Sequence, residues 1–441
     1  MRVSFLCSLV LVAAGLLFPA ASPGGENGVR ILTLEEALRI ASERNRDIRT
    51  ALELRNQLEG RYVEERSAAL PQLRLTASVS RDRDESQRAF GGSLIPIQRE
   101  TRGTEVGLSQ ALYTWGQVGA AIRAAKIGLA TADDRLRLFR QAAERDVTAS
   151  FYDVLLAREL HGIAAQNLEQ KVRHLDEARK RYAAGTATDY DVLAAEVAVE
   201  NARPEVIRAE NRVQVSRERL RFLLGIDRQE VDATGTLEAP VDPYPAYEGS
   251  LETAWRNRPE LSELRHRLGV AEELVKIADA GDKPRLDLKA GYGWRELDVG
   301  ESDANGKVWT AGLFVTYPFF DGLRTRGKTA QARSDVRALR IDEEKLLDNI
   351  AVQTREAVNA VRESGEIVKA LSSTVSQASL LLFMAEKGFE FGVKTRLEVE
   401  DAELNVTQAK GNLARARRDY LVSRVTLEFV KGNLGEGEFH R

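Results

Sequence analysis

The longest pattern in the chain is a narrow apolar stripe with helical spacing. Between residues 116 and 184, apolar side chains return every three or four positions and charged side chains fill the gaps. This stretch predicts one helix roughly 100 Å long, at 1.5 Å of rise per residue. A stripe this narrow packs against another helix rather than onto a globular core. The sequence therefore predicts long, paired helices as the main architecture.

Shorter helical patterns flank the long one. Residues 46–69 predict a helix of roughly 36 Å, and Asp189–Leu224 predict one of roughly 54 Å. Stacked end to end, these two helices nearly match the long helix in height. An earlier helix should start at Thr33, because Thr33 and Glu36 have the spacing of a capping box, which satisfies free amides at a helix start.

Four other stretches alternate apolar and polar residues as β-strands do. Each has about the length that a tilted strand needs to cross an outer membrane. Four strands cannot close a barrel alone, and an open edge in lipid leaves backbone groups unpaired, so insertion would require several chains to pool their strands. Two soluble hairpins on a core are the alternative, although little else in the chain could form that core. The stretches are 73–81, 104–113, 285–298 and 308–319.

Aromatic residues gather on the second pair of predicted strands. Aromatic side chains are enriched where a membrane protein meets the lipid–water interface. The predicted membrane aromatic belt consists of Tyr292, Trp294, Trp309, Phe314 and Tyr317. The polar segment 82–102, between the first two strands, is expected to face the outside.

The elements occur twice in the same order: helix, strand, strand, long helix, helix. We predict the first repeat at 32–225 and the second at 250–434, joined by a linker at 226–249 that contains Gly235 and three prolines. Residues 435–441 are expected to form a C-terminal tail. The register after the two tip glycines agrees, since Gly185 and Thr188 correspond to Gly392 and Thr395.

The N-terminal residues 1–21 have the layout of a secretory signal peptide, with cleavage expected within 19–24. Arg2 precedes an apolar run that ends in small residues. A membrane anchor is the alternative, but about 14 apolar residues are short for a helical span. No later segment is predicted to cross a membrane as a helix. The single cysteine, Cys7, lies in this run, so the exported chain should contain no disulfide and no thiolate site.

Charge and composition argue against several functions. The chain has 64 Lys and Arg against 67 Asp and Glu, without a basic block, so nucleic acid is not an expected partner. The four histidines lack metal-ligand spacing, and no catalytic grouping is evident. Residues 322–329 match a P-loop pattern, but two arginines and a leucine stand where backbone amides must wrap phosphate. We therefore expect no enzyme activity and no cofactor.

Two other hypotheses stay open beside a membrane duct. An exported coiled-coil spacer or adhesin stalk would share the export signal and the long helices, but it would not need four strands of membrane length. A periplasmic hydrolase or ATPase would need a catalytic constellation.

Several short motifs, duplicated in order over nearly the whole chain, resemble those of the TolC-like outer membrane efflux protein family. They are LTLEEAL at 32–38, NRPEL at 257–261, YPFFDG at 317–322, RYAAG at 181–185 and GFEFG at 388–392. The resemblance implies a mainly α fold with a β-barrel part, in which a homotrimer forms a 12-stranded outer-membrane β-barrel and a periplasmic α-helical tunnel. Such a protein is the exit duct of a tripartite efflux or type I secretion system in a Gram-negative-type bacterium.

The resemblance also implies partners and site residues. A periplasmic adaptor and an inner-membrane transporter would open the passive channel, whose cargo the sequence does not specify. The adaptor-docking helix tips would be Gly185, Thr186, Gly392 and Val393.

Acidic residues beyond the tips narrow the periplasmic entrance in this family. The corresponding acidic gate residues here are Asp191, Glu398 and Asp401, and Lys394 falls where the family can carry a basic partner. Threefold symmetry would repeat each carboxylate around a narrow mouth and attract cations. The alternative is that these are ordinary solvated helix charges. Arg396 adds a cation at this place, which puts the strength of the gate and its ion preference in question.

Overall fold

The computed structural model describes residues 29–84, 97–299 and 302–435. The predicted signal peptide lies outside the described residues, as do His440 and most of the predicted tail.

Helices make up most of the described chain. The long helices α3 and α7 have 67 residues each, about 100 Å, which confirms the predicted long helices. A single 3₁₀ turn at Ala280–Asp282 follows α6. The helices are α1 Leu34–Arg44, α2 Arg46–Ser67, α3 Gln117–Ala183, α4 Asp189–Leu224, α5 Tyr247–Asn257, α6 Pro259–Asp279, α7 Arg324–Glu390 and α8 Arg396–Lys431.

The strands fall into two sheets. A four-stranded antiparallel sheet has the order β2-β3-β5-β6, so the two hairpins lie side by side. The strands are β1 Arg30–Leu32, β2 Gln72–Asp84, β3 Ile97–Tyr113, β4 Val231–Ala233, β5 Arg285–Val299 and β6 Ser302–Thr316.

The outer ends of the strands differ from the prediction. The polar segment 82–102 was predicted to lie between the first two strands, and this was wrong for both of its ends. β2 continues to Asp84, and β3 already begins at Ile97. The rest of that segment, 85–96, lies outside the described residues. The last strand starts earlier than predicted, at Ser302, and ends at Thr316. Polar residues such as Arg81, paired with Glu100, extend the ladder where apolar alternation has already ended.

The segment predicted as a linker contains structure of its own. Val231, Asp232 and Ala233 pair in parallel with β1, and α5 already begins at Tyr247. A three-residue parallel strand carries no periodic signal, so the sequence did not indicate it. The pairing ties the start of the first repeat to the chain that follows its end.

The hydrophobic core lies at mid-height of the two long helices. In the first repeat, Val147, Phe151 and Val154 of α3 pack with residues of α1, α4 and the small sheet. In the second, Val358 and Val361 of α7 pack against α8. The stripe therefore meets partner helices, as its narrowness predicts.

Helix ends follow local rules. The predicted capping box at Thr33 is confirmed, since the Thr33 amide donates to Glu36 Oε2 at 3.0 Å and the Glu36 amide donates to Thr33 Oγ1 at 3.3 Å. The return helices α4 and α8 end at Gly225 and Gly432, both left-handed, at φ +66° and +75°.

The segment with the P-loop pattern is not a phosphate-binding loop. It becomes helical at Arg324, so Gly327 and Lys328 lie inside α7 and only Gly322 and Leu323 form a turn. Backbone amides committed to a helix cannot wrap a phosphate.

Within the described residues, α7 is long and apolar enough to cross a membrane by composition, with a stretch of mean hydropathy 1.4 that is 11% buried. The prediction that no later segment qualifies was wrong on this criterion. The stretch leaves Leu380, Phe383 and Met384 exposed in the protomer.

Candidate functional site

The four-stranded sheet has one apolar and one polar face. Cross-strand partners lie on the same face, and successive residues alternate between faces. The pairs Leu288 with Leu313 and Tyr292 with Trp309 mark the apolar face. The apolar face consists of Leu73, Leu75, Ala77, Val79, Val106, Leu108, Leu286, Leu288, Ala290, Tyr292, Trp294, Trp309, Ala311, Leu313 and Val315.

The residues of the predicted aromatic belt do not all lie on one face of the sheet. Tyr292, Trp294 and Trp309 share the apolar face. Phe314 was wrong as a belt residue: it pairs with Asp287 on the polar face, where Lys289 Nζ lies 5.1 Å from the centre of its ring. The strand alternates strictly there, so two adjacent apolar residues must point in opposite directions. Tyr317 follows the end of β6.

Both edges of this sheet are open. The outer strands β2 and β6, of 13 and 15 residues, each pair on one side only among the described strands. Exposed edges this long invite pairing with another chain, and in lipid their free backbone groups would each be costly.

The two helix tips at the other end of the protomer repeat the same turn. Gly185 and Gly392 are left-handed, at φ +71° and +73°, and their amides donate to the carbonyls of Tyr182 and Phe389. The amides of Thr186 and Val393 close each turn. The predicted docking residues thus lie in two tips with the same backbone turn.

Two of the predicted gate carboxylates cap their own helices. Asp191 accepts from the amide and hydroxyl of Thr188, and this backbone bond lowers the Asp191 pKa. Glu398, at the equivalent position, accepts from Lys394 Nζ at 2.5 Å and from the Thr395 amide at 2.8 Å. The bond from Lys394, followed by those from Thr395, lowers the Glu398 pKa to about 2.

Asp401 differs from these two carboxylates. It lies one turn further along α8, it is exposed, and it makes no ion pair in the part of the chain that the structure describes. Asp191 and Glu398 are bonded to the starts of their own helices, whereas Asp401 is the predicted gate acid that is not.

Contacts near the tips join the two helical hairpins of one protomer. Arg396 bonds to Glu400 at 3.1 Å and lies 3.7 Å from Glu177 of α3. The ring of Phe389 lies between Arg181 and Arg396, at 5.3 and 5.9 Å from the two guanidinium carbons. Arg396, the unexpected cation, thus links the α7–α8 hairpin to α3.

A buried ionic cluster lies further along the same interface. Glu403 of α8 is 2% exposed. It accepts from Lys171 Nζ at 2.9 Å and from His174 Nε2 at 2.5 Å, both on α3. Burial on its own raises the Glu403 pKa, but the bonds from His174 and Lys171 outweigh it and lower that pKa to about 2.

Sequence reasoning missed this cluster, although a signal was present. Glu403 lies in the apolar stripe of α8 beside Val399, Ala402 and Val406, at helical spacing. An acid within such a stripe indicates a buried charge that needs partners on the facing helix.

The histidines in the described part of the chain lie on helices. His266 bonds to Asp134 through Nδ1 at 2.6 Å. Across residues 29–84, 97–299 and 302–435, no group of three or more His, Cys, Asp and Glu is placed to hold a metal ion.

Comparison with known proteins identifies the family. The family model described as outer membrane efflux protein matches residues 37–226 and 251–433. The outer membrane protein TolC of Vibrio cholerae is 25% identical over 386 residues, 84% of each chain. The alkaline protease secretion protein AprF of Pseudomonas aeruginosa is 26% identical over 317 residues, 69% of this chain and 64% of the relative.

The fold agrees with a solved channel. The outer membrane channel CmeC of Campylobacter jejuni aligns with a TM-score of 0.80 at 16% identity, covering 91% of this chain and 85% of that one. Taken with the two-faced sheet and the paired long helices, these matches show that the chain belongs to the outer membrane efflux protein family and is an outer-membrane exit duct for efflux or secretion.

Proposed function

We propose that three copies of the chain pool their sheets into one 12-stranded barrel and their helices into one periplasmic tunnel. The observation that carries this proposal is the four-stranded sheet with one apolar face and two open edges. Pairing β2 of one protomer with β6 of the next removes both edges, and the apolar face then meets lipid. The exposed apolar stretch of α7 would be covered in the same assembly.

The duct is passive and not an enzyme in this proposal. A periplasmic adaptor docks on the tips around Gly185, Thr186, Gly392 and Val393, and an inner-membrane transporter supplies the energy. The exposure of Val393, 78%, supports docking there. The two repeats, 32–225 and 250–434, each contribute one hairpin of strands and one tip.

Asp401 forms the charged ring at the entrance in this proposal. Its three copies would face a common axis, whereas Glu398 and Asp191 cap their helices. Links such as Arg396 to Glu177 hold the closed arrangement. An adaptor that breaks them would let the α7–α8 hairpin move away from α3.

The test is block of single-channel current by hexaamminecobalt(III), a trivalent cation, added on the tip side of a planar bilayer. Asp401→Asn should weaken the block about fivefold, equivalent to about 1 kcal/mol, because three charges leave one narrow mouth. Glu398→Gln should weaken it less, because that carboxylate is held by Lys394 and Thr395.

An equal or larger effect of Glu398→Gln would contradict the assignment of the ring to Asp401. A wild-type protein that gives no current steps in the bilayer would contradict the channel itself.

A further inference from the structure

The polar face of the sheet carries a ladder of charged side chains. Following the cross-strand partners, Lys289, Arg74, Glu105 and Arg295 lie in four successive rows on this face. Rows on one face are two residues apart, so the ladder spans roughly 20 Å at about 3.4 Å per residue. On the opposite face, Ala290, Tyr292 and other apolar residues occupy the rows that alternate with these. The ladder therefore lies at the depth of the lipid-facing band.

Small residues lie beside the long side chains of the ladder. Glycines in the same rows leave the wall open beside Arg74 and Arg295, whereas beside Lys289 the ring of Phe314 lies over Gly312. A groove of about 460 Å³ runs past all four ladder residues. A Cβ at Gly291 would overlap the Glu105 carboxylate, so that side chain lies flat on the glycine track. These glycines are Gly103, Gly107, Gly291, Gly306 and Gly312.

The ladder has an excess of positive charge. Arg74, Lys289 and Arg295 are exposed and form no ion pair within the residues described here, while Glu105 is the single acid among the four rows. Below the ladder, Arg285 and Asp287 neutralise each other at 2.9 Å. Each protomer thus presents three cations against one anion, a net charge of +2, to the polar face.

We propose that this ladder is a binding track for multivalent anions bearing phosphate or carboxylate groups, in the exit section of the duct. The inference rests on the proposed trimeric barrel, in which the polar face lines the lumen. Three protomers then place a net +6 on a wall backed by lipid, where low dielectric strengthens the field. Arg74 lies on β2 and Lys289 and Arg295 lie on β5, so the cations flank β3 on both sides. A multivalent anion that moves along β3 can therefore contact cations from either side in turn.

The track carries a net positive charge, whereas the proposed ring at the entrance is negatively charged. Acidic residues at the tips favour cations there, so anionic cargo must be delivered past the entrance by the docked partners. Once the anionic cargo is inside the barrel, the cations of the ladder bind it. The Glu105 carboxylate weakens this binding between the rows that carry cations. A zwitterionic or neutral cargo would gain nothing from the track.

The experiment uses the assembled protein in a planar bilayer with inorganic triphosphate added on the barrel side. Triphosphate should block the wild-type current, and the triple variant Arg74→Gln, Lys289→Gln, Arg295→Gln should weaken that block about tenfold or more. If the triple variant does not insert into the bilayer, the single variants Arg74→Gln and Lys289→Gln take its place. Each of them should weaken the block by triphosphate about threefold. Glu105→Gln should strengthen the block.

Lys307→Gln is the matched control. Lys307 pairs with Trp294 on the opposite face of the same sheet, so its neutralisation should leave the block within about twofold of wild type. A wild-type channel that conducts but is not blocked would overturn the track and leave the duct intact. Equal effects of Lys307→Gln and the ladder variants would also overturn it. A wild-type protein that never conducts would overturn both the duct and the track.

Discussion

Gly432→Ala is expected to lower the free energy of unfolding by more than about 3 kcal/mol. Gly432 ends α8 at φ +75°, a conformation that costs a residue with a Cβ about 1 kcal/mol. The new Cβ would also lie 2.7 Å from the Asn257 carbonyl carbon and 2.9 Å from the Arg258 amide, both backbone atoms at the α5–α6 junction. Backbone atoms held between two helices cannot move away from the new Cβ without a large cost in free energy.

The same glycine is tied into the core on its other side. Its carbonyl accepts from Gln141 Nε2 at 2.9 Å, and that side chain is buried in α3. A shift of Gly432 would therefore break one of the two hydrogen bonds that this buried amide donates, the other going to the Leu434 carbonyl at 2.9 Å, at a further cost. Gly225 in the first repeat, at φ +66°, meets the Arg44 carbonyl in the same way and should give a similar loss.

The measurement is unfolding of the detergent-solubilised protein by denaturant, followed by circular dichroism. Gly60→Ala is the matched control: Gly60 lies on the surface of α2 with nothing within 4 Å of its Cβ position. Alanine there should stabilise by up to about 1 kcal/mol through helix propensity. If Gly432→Ala unfolds at the same denaturant concentration as wild type, the tight junction described above is not present in solution.

Glu403→Gln is expected to have the second-largest effect, a loss of about 3–5 kcal/mol at neutral pH. The change removes the charge that compensates Lys171 and that is also bonded to His174, in a site where Glu403 is 2% exposed. The repeat supplies a matched control, because Glu196 is the equivalent residue of α4. Its side chain is 41% exposed and pairs with Arg179 on the surface, so Glu196→Gln should cost less than about 1 kcal/mol.

The Glu403 effect should also depend on pH in a defined direction. Its pKa is about 2 in the folded protein and 4.5 in a free carboxyl group. The stabilisation is therefore complete above about pH 4.5 and is lost as the pH falls toward 2. The difference in unfolding free energy between wild type and Glu403→Gln should shrink across that interval. A difference that stays constant from pH 6 to pH 3 would show that the charge of Glu403 is not what stabilises the interface.

The sequence predicted those parts of the fold that depend on periodicity or on local capping. The long stripe of α3, the start at Thr33 and the exact span of α4 follow from spacing and end signals that neighbouring residues alone determine. The pairing of Val231 with Arg30 joins short segments that are far apart in sequence, so no local signal marks it.

The candidate sites show the same division. The order of gate and tip residues follows from the family resemblance. The use of the Glu398 carboxylate as a helix cap was missed although Thr395 and Glu398 have the same capping-box spacing as Thr33 and Glu36. Phe314 was misplaced because counting aromatics ignores strand alternation. Glu403 was missed because its partners Lys171 and His174 lie on another helix.

The most direct test of the trimeric duct is the mass of the detergent-purified exported protein, determined together with its single-channel conductance in a planar bilayer. The account predicts a complex of three chains that gives discrete current steps, because only pooled sheets close the two open edges. A monomer, or a trimer that inserts and never conducts, would contradict it and favour a stalk of paired helices without a pore.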